Sequence, residues 1–303
     1  MTDETRQSGQ NGQGVVARPK LTQERVLEWI ELTDTYFKNE DICREVGIES
    51  YGAREHLRKI LRRLEEKGVI RAHGRNTWRR ADCSLEAVNW EDADPNATVD
   101  LVFPMGLDAY CKLYPQAIVV VAGAKNTGKT AFLLNTVRNN MDHPLGVDLF
   151  NSESSPEQLK QRFAPLKVPR PAPFRVFQRS FGFADVIDPD RISVIDYMEL
   201  PPDGAYKVSE EMTQIFRKLR KGVAIIGLQK PPGRDLAYGA AFSAFRAQFY
   251  ISLDANKCKI IYVKTPRDSR EQADNKQWTF KLENGIEFKN VKESYAPTPE
   301  VYR

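Results

Sequence analysis

The sequence has no apolar run that approaches the roughly 20 residues needed for a transmembrane helix. Its first ten residues, MTDETRQSGQ, contain no apolar core of the kind found in a secretory signal peptide. These two absences argue against an integral membrane protein and against secretion. We therefore expect a cytoplasmic protein with no membrane partner.

Cysteine and histidine are also scarce. The four cysteines are Cys43, Cys83, Cys111 and Cys258. They are widely separated and form no Cys-x-x-Cys pair, so a zinc site is not expected and reduced structural thiols are the simpler interpretation. His56 and His73 are isolated, and neither is expected to bind a metal.

The chain does have enough apolar residues to fold. It has 303 residues, 41% of them hydrophobic and 28% charged, and this length predicts one large domain with a small one. Residues 1–20 are rich in Gln, Gly and Ser with almost no large apolar side chains, so we expect them to be disordered. The net charge of +4 is small, and its distribution is more informative than its sum.

A phosphate-binding loop dominates the middle of the chain. A β-branched run is followed by Gly-x-x-x-x-Gly-Lys-Thr and then by a helical segment, which is the context that this motif requires. Its glycines allow a close backbone approach, its N–H groups form a nest for anions, and the helix presents its positive end. The predicted nucleotide-binding residues are Gly123, Ala124, Lys125, Asn126, Thr127, Gly128, Lys129, Thr130 and Ala131.

Two of these residues have predicted chemical roles. We expect Lys129 to reach the β- and γ-phosphates of a nucleoside triphosphate and the Thr130 hydroxyl to bind Mg²⁺. The competing interpretation is a glycine-containing turn that matches the motif by chance. The apolar strand directly before the loop and the amphipathic helix after it favour nucleotide binding.

Apolar strand runs alternate with helical segments from about residue 99 to residue 290, which predicts an α/β domain with a mainly parallel sheet. The predicted strands are 118–122, 147–150, 192–196 and 223–228, and the predicted helices are 130–140 and 156–163. Such strands bring Lys129, Glu153, Asp196 and Gln229 to one edge of the sheet, where open α/β sheets bind ligands. Asp196 ends its apolar run as a Walker B acid does, and we expect it in the Mg²⁺ shell.

This core resembles the RecA-like P-loop NTPase fold, and within it the motor domain of DnaB-type replicative helicases. The similarity covers residues 100–290 and is carried in order by GKTAFLLN, LFNSESSPEQLKQRF, ISVIDYMEL and GLQK. It implies ATP hydrolysis with Mg²⁺, in which Glu153 activates the attacking water, Asp196 holds the metal shell and Gln229 senses the γ-phosphate and couples it to DNA. The alternative is a surface glutamate and an unremarkable strand-end acid. The joint order of both acids with Lys129 and Gln229 favours catalysis.

A further similarity to that family, with its terminal hairpin, is carried by residues 260–267 (IIYVKTPR), Trp278, Thr279, Phe280 and Phe288. The resemblance implies that Lys264 and Arg267 act in trans on the γ-phosphate bound by the neighbouring subunit. The family usually has Lys-x-Arg at this place, whereas Pro266 makes the spacing Lys-x-x-Arg here. The helical N-terminal domain of the family is also replaced, so a replicative-helicase role is not inherited from the core alone.

Residues 21–80 predict a compact helical domain that ends in a hairpin. Helices are expected from about residue 22, near 39–46 and from about 52 to 67, the last two ending at Gly47 and Gly68. Two short strands around a His-Gly-Arg-Asn turn should follow in residues 69–80. The apolar face of the first helix is predicted to comprise Val26, Leu27, Trp29, Ile30 and Leu32.

Three helices and a hairpin resemble a winged helix-turn-helix domain, and REHLRKILRRLEEKGVIR is typical of that family's recognition helix and first wing strand. From Arg54 to Arg80 the sequence has ten Lys or Arg residues against three Asp or Glu residues, which suits phosphate binding. We expect the helix to enter a major groove of duplex DNA. The alternatives are a solvated charged face and a protein-docking domain. The predicted DNA contacts are Arg54, Arg58, Lys59, Arg62, Arg75 and Arg79.

An acidic linker at residues 81–98 separates the two predicted domains. Residues 81–108 contain no Lys or Arg, and their acids are Asp82, Glu86, Glu91, Asp92, Asp94, Asp100 and Asp108. The linker is either a tether or a segment that lies on a basic surface of a neighbouring subunit. Residues 291–303 are expected to form a C-terminal tail in which Tyr295 and Tyr302 dock on a neighbour.

The loop after Gln229, residues 230–239, is rich in Gly and Pro and carries basic and aromatic residues. The resemblance to RecA-like proteins implies that this loop lines the channel or groove that grips DNA. Lys230 and Arg234 would then contact phosphates and Tyr238 would stack on a base of a single strand. The alternative is an ordinary surface loop.

These features support two hypotheses of different kinds. The first is a DNA-dependent, homo-oligomeric ATPase, a ring or a filament, that couples ATP binding and hydrolysis at subunit interfaces to DNA engagement or translocation in replication or recombination of a bacterial, phage or mobile-element genome. The second is an ATP-gated DNA-binding regulator whose core controls oligomerisation. A small-molecule P-loop kinase is a third hypothesis, which Gln229 and the winged helix argue against.

Overall fold

The computed structural model describes residues 21–33, 36–82, 85, 87–199, 207–270 and 273–294. The chain divides into two compact units, one ending at Glu91 and the other beginning at Asp92. Outside the described residues lie the segment 1–20 that we expected to be disordered, Cys83, Glu86 and the tail residues Tyr295 and Tyr302. None of the helices among the described residues is long and apolar enough to span a bilayer.

The first unit combines three helices with a small antiparallel sheet. Its elements are α1 (Gln23–Glu31), β1 (Tyr36–Lys38), α2 (Asn39–Val46), α3 (Tyr51–Glu66), β2 (Ile70–Ala72) and β3 (Thr77–Arg80). The strands pair in the order β1-β3-β2. The three helices and the β2–β3 hairpin lie where the sequence predicts them. Strand β1 was not predicted, because three residues are too few for a periodic pattern.

Local sequence explains where these helices begin and end. The Thr22 hydroxyl accepts the Arg25 N–H at 3.3 Å at the start of α1, and the Ser50 hydroxyl caps α3 in the same way. Gly47 ends α2 in the left-handed conformation, with φ of +73°, which a residue with a Cβ adopts only at a cost.

The apolar stripe of α3 packs as its spacing predicts, since Leu57, Ile60, Leu61 and Leu64 are all buried. The prediction for Leu32 was wrong: its side chain is 81% exposed, because α1 ends one residue before it. The Trp78 indole N–H donates to the Asn39 side chain at 2.7 Å and fixes the hairpin to α2. We expected Trp78 to pack the hairpin in this way.

The second unit is an α/β domain around one sheet. Its strands are β4 (Ile118–Gly123), β5 (Val147–Asn151), β6 (Arg175–Gln178), β7 (Ile192–Asp196), β8 (Val223–Gln229), β9 (Phe249–Asp254), β10 (Lys257–Val263), β11 (Gln277–Glu283) and β12 (Glu287–Ser294). Its helices are α4 (Lys129–Asn139), α5 (Pro156–Phe163), α6 (Lys207–Lys218) and α7 (Ala241–Ala244), with 3-10 turns at Pro104–Tyr110 and Phe183–Asp185.

The sheet has nine strands in the order β12-β11-β10-β9-β4-β8-β7-β5-β6. The six from β9 to β6 are parallel, and β10, β11 and β12 extend the sheet in antiparallel pairs. Every residue of β4, β5 and β7 is buried, because helices cover both faces. This explains why these strands read as continuous apolar runs. The mainly parallel α/β sheet that the sequence predicted is thus present.

The ends of this unit differ from the predicted boundary. Strand β12 continues to Ser294, which pairs with Gln277, so residues 291–294 belong to the sheet and not to a tail. At the other end the Val99 N–H donates to the Leu113 carbonyl at 2.7 Å, and the Val99 side chain is buried in the core.

Candidate active site

The phosphate-binding loop leaves the carboxyl end of β4 and ends where α4 begins. Gly128 has φ of +97°, which glycine adopts without strain. A Cβ on Gly123 would lie 2.8 Å from the Thr127 hydroxyl, so this position has no room for a side chain. The Thr127 hydroxyl donates to the Ala124 carbonyl at 2.8 Å and closes the loop. The result is a tight backbone turn of the kind that cradles phosphates.

Lys129 is the first residue of α4, and only 9% of its surface is exposed. Burial lowers the pKa of its ammonium group, and the charges of Asp196 and Glu153 oppose that shift. Three of the predicted catalytic residues therefore lie close enough to influence one another. Two of them come from other loops, since Glu153 follows β5 and Asp196 ends β7.

The Thr130 hydroxyl donates to the Asp196 carboxylate at 3.2 Å. Burial raises the pKa of Asp196 to about 6, and the Lys129 charge and the Thr130 hydrogen bond counteract part of this rise. Among the described residues no cluster of three or more potential metal ligands occurs. A hydroxyl and a carboxylate are nevertheless oxygen ligands that suit Mg²⁺, which takes one or two carboxylates and completes its shell with phosphates and water.

Glu153 lies on a turn that is fixed at both sides. The Asn151 side-chain amide donates to the Ser154 carbonyl at 2.6 Å and accepts the Ser154 N–H at 3.0 Å. The Ser152 N–H donates to the Asp196 carbonyl at 2.9 Å and ties this turn to the end of β7. Glu153 itself is exposed. The turn therefore presents a solvent-accessible carboxylate beside a buried one.

Gln229 is the last residue of β8 and is half-buried. It pairs in register with Gly123, so the structure brings it to the start of the phosphate-binding loop as the strand order predicts. Its carbonyl accepts the Tyr238 N–H at 2.9 Å and links the strand end to the following loop.

The assignment of Lys230 as a DNA contact is corrected by the structure. Its side chain is fully buried, and its ammonium group forms an ion pair with Asp254 at 2.8 Å and donates to the Arg234 carbonyl at 2.6 Å. Lys230 thus joins the ends of β8 and β9 and cannot reach a nucleic acid. Arg234 and Tyr238 are exposed, as a contact surface requires.

The two predicted trans-acting residues have different surroundings. Lys264 is exposed directly after β10. Arg267 forms an ion pair with Asp100 at 3.1 Å and donates to the Asp108 carbonyl at 3.1 Å. Arg267 would have to leave these partners before it could act on another subunit.

The predicted DNA contacts of the first unit all lie on its surface. Arg58 is paired with Glu55, and Arg62 lies 3.8 Å from Glu66. Such exposed pairs contribute little to stability and can exchange for phosphates. The exposed members of the set are Arg54, Arg58, Lys59, Arg62, Arg75 and Arg79.

Sequence reasoning missed Tyr197, which follows Asp196. The Lys129 ammonium lies 4.2 Å from the centre of its ring. The only signal in the sequence was an aromatic residue directly after the acid that ends β7, and nothing there indicated which side chain it would contact.

We expect Asp196→Asn to stabilise the nucleotide-free, Mg²⁺-free protein at pH 8. Because the folded-state pKa is raised to about 6 from 3.8, this carboxyl favours folding below pH 3.8, and that contribution is lost as the pH rises through 6. Removing the ionised form should raise the free energy of unfolding by about 2 kcal/mol and Tm by about 6 °C at pH 8. Thermal denaturation should show a smaller gain at pH 5.

Asp148 provides a matched control, since it is an equally buried acid on the neighbouring strand β5. Its carboxylate accepts two hydrogen bonds from Arg175, at 2.7 and 2.6 Å, and one from Arg191 at 3.0 Å. Asp148→Asn should lower Tm at pH 8, because two guanidinium groups lose their partner. Asp196→Asn lowering Tm at pH 8 as Asp148→Asn does would contradict the expected strain at Asp196.

No family model matches this chain, and no curated protein does either. Among solved structures, the ATPase domain of a DnaB-like helicase is similar with 18% identity and a TM-score of 0.46, over 67% of this chain and 94% of that one. A KaiC-like protein from the hyperthermophilic archaeon Pyrococcus horikoshii has 16% identity and a TM-score of 0.44, over 65% of this chain and 98% of that one. A function for this chain therefore has to be argued from its own site.

Proposed function

We propose that this chain is an oligomeric, DNA-dependent ATPase with a RecA-like core of the DnaB type, a winged helix-turn-helix domain at residues 21–80 and an ATP site that two subunits share. The convergence of Lys129, Thr130, Asp196 and Glu153 at the carboxyl ends of a run of parallel strands supports this proposal. A phosphate-binding loop alone would support only nucleotide binding. The neighbouring acids add the groups that hydrolysis requires.

In this proposal each group has one task in ATP hydrolysis. The loop N–H groups and the Lys129 ammonium hold the β- and γ-phosphates and stabilise charge on the transferring phosphoryl group. A water oxygen bonds to the γ-phosphorus while the bond to the bridging oxygen of ADP breaks, and Glu153 takes the proton of that water. Thr130 and Asp196 would hold Mg²⁺, which neutralises phosphate charge when bound.

The open side of the site supports assembly across subunits. Glu153 is exposed, so a γ-phosphate beside it can also be reached from a second copy of the chain. We assign the main trans-acting role to Lys264, which is exposed, and a secondary role to the ion-paired Arg267. ATP would then favour a ring or filament because it is bound more tightly between two copies than by one.

Exposed aromatic side chains near the end of β8 support a single-stranded DNA surface. Tyr238 is 49%, Phe242 51% and Phe245 71% exposed, and all three follow Gln229 in one short segment with Arg234. Bases stack on such rings without regard to sequence. The hydrogen bond from the Tyr238 N–H to the Gln229 carbonyl connects this segment to the ATP site.

We expect the double substitution Phe242→Ala, Phe245→Ala to weaken single-stranded DNA binding. Each lost stacking contact costs about 1–3 kcal/mol, so the Kd for a fluorescent oligothymidine should rise about 30-fold or more. Titration in the presence of a non-hydrolysable ATP analogue measures this change. Stimulation of ATP hydrolysis by the same oligonucleotide should fall in parallel.

Phe181 offers a matched control, because it is 73% exposed but lies after β6. Phe181→Ala should bind DNA as the unsubstituted protein does. An unchanged Kd in the double variant would exclude the aromatic surface. Hydrolysis that no DNA stimulates, in a chain that stays monomeric with ATP, would exclude the proposed function itself.

The exposed basic residues of α3 and of the β2–β3 hairpin favour one alternative, an ATP-gated regulator that reads an operator. Footprinting on genomic fragments distinguishes the two. A defined footprint with little DNA-stimulated turnover would support the regulator. Stimulation that grows with DNA length on any sequence would support the motor or filament.

A further inference from the structure

Tyr197 lies between two groups that the proposed chemistry uses. The face of its ring lies under the Lys129 ammonium, 4.2 Å from nitrogen to ring centre. Its hydroxyl forms a hydrogen bond with the Glu153 side chain. One residue thus contacts both the phosphate-binding lysine of the β4–α4 loop and the candidate base of the β5–α5 turn.

Neighbouring strands hold Tyr197 in place. Its N–H donates to the Ser152 hydroxyl at 3.1 Å, and the same hydroxyl donates to the Asp196 carbonyl at 3.3 Å. On the β8 side its Cβ packs over Gly227, where an added Cβ would lie only 3.3 Å away. Both anchors are at strand ends in the middle of the sheet, so Tyr197 is well placed to fix the position of more mobile side chains.

The two contacts suit a tyrosine. Aromatic rings attract a cation over their face, and more strongly where water is excluded, as it is around the buried Lys129. Burial, followed by the negative charge of Glu153, raises the pKa of Tyr197, so the hydroxyl stays protonated at neutral pH. A protonated hydroxyl donates to a carboxylate, and such charge-assisted bonds are strong and directional.

We propose that Tyr197 is a positioning residue, which holds Lys129 through its ring and Glu153 through its hydroxyl before the triphosphate arrives. This role depends on the proposed ATPase function. The ring keeps the ammonium over the phosphate-binding loop, and the hydroxyl turns one carboxylate oxygen so that the other faces the attacking water. Tyr197 takes no part in proton transfer or in bonding to phosphorus.

Substitutions can separate the two contacts. Tyr197→Phe keeps the ring and should leave the KM for ATP unchanged while lowering kcat about tenfold. Tyr197→Ala also removes the ring and should weaken the binding of fluorescent ATP about fivefold, because Lys129 is no longer held in advance. Tyr114→Phe is the control, since the Tyr114 hydroxyl donates to the Pro95 carbonyl at 3.1 Å away from these residues, and it should change neither constant.

A double-mutant cycle tests whether the hydroxyl acts through Glu153. In a Glu153→Gln background, Tyr197→Phe should cause no further loss of turnover, whereas a general structural defect would multiply the two losses. Wild-type kcat in Tyr197→Phe, or multiplied losses in the cycle, would overturn the role of the hydroxyl.

The binding titration decides the role of the ring even without turnover. Equal ATP affinity in Tyr197→Ala and Tyr197→Phe would overturn it. Normal hydrolysis by Glu153→Gln would instead overturn the base assignment in the proposed function, and the titration would still report on the contact between Tyr197 and Lys129.

Discussion

Glu153→Gln should yield a protein that binds ATP and Mg²⁺ but hydrolyses ATP at least about a hundredfold more slowly. The amide has the size of the carboxylate but cannot accept the proton of the attacking water. The groups assigned to ATP binding, Lys129, Thr130 and Asp196, remain in place. Because the γ-phosphate then stays attached, the variant should accumulate as an ATP-bound, assembled form.

Single-turnover hydrolysis and light scattering measure these two properties of Glu153→Gln. Glu157→Gln is a suitable control, because Glu157 is also an exposed glutamate, close to Glu153 at the start of α5, and its carboxylate accepts the Ser155 hydroxyl at 2.7 Å. This control should hydrolyse ATP normally. A normal rate in Glu153→Gln would show that another group activates the water.

The backbone of this site was predictable because strand ends are set by local sequence. Residues 192–196 and 156–163 were predicted as strand and helix, and β7 and α5 have these bounds. An apolar run that is buried on both faces and ends in an acid has few other interpretations. Proline at the first position of α5, after the Ser155 cap, similarly fixes where that helix begins.

Side-chain partners were not predictable, because they come from distant parts of the chain. Lys230 lies in a Gly/Pro-rich loop and was interpreted as a solvent-facing cation, but Asp254 at the end of β9 draws it inward. Tyr197 contacts Lys129 and Glu153 only because β4, β7 and β5 lie near one another in the sheet. Strand order decides such contacts, and the sequence pattern fixes that order only loosely.

Lys129→Ala should lower kcat/KM for ATP by about a thousandfold or more. The substitution removes the cation that we assign to the β- and γ-phosphates, and alanine leaves only the loop N–H groups to hold them. It also affects the neighbouring acid. The Lys129 charge lowers the pKa of Asp196, so without it a larger fraction of Asp196 is protonated and Mg²⁺ is bound more weakly.

Lys125→Ala provides the comparison, because Lys125 lies in the same loop with an exposed side chain. A loss of general positive charge would affect both variants, whereas the loss of a phosphate ligand affects only Lys129→Ala. Fluorescent-ATP titration at several Mg²⁺ concentrations should show weaker binding for Lys129→Ala that added Mg²⁺ restores only in part, since the phosphate contact stays missing. Equal losses in the two variants would mean that Lys129 contributes charge to the surroundings and not a contact to the γ-phosphate.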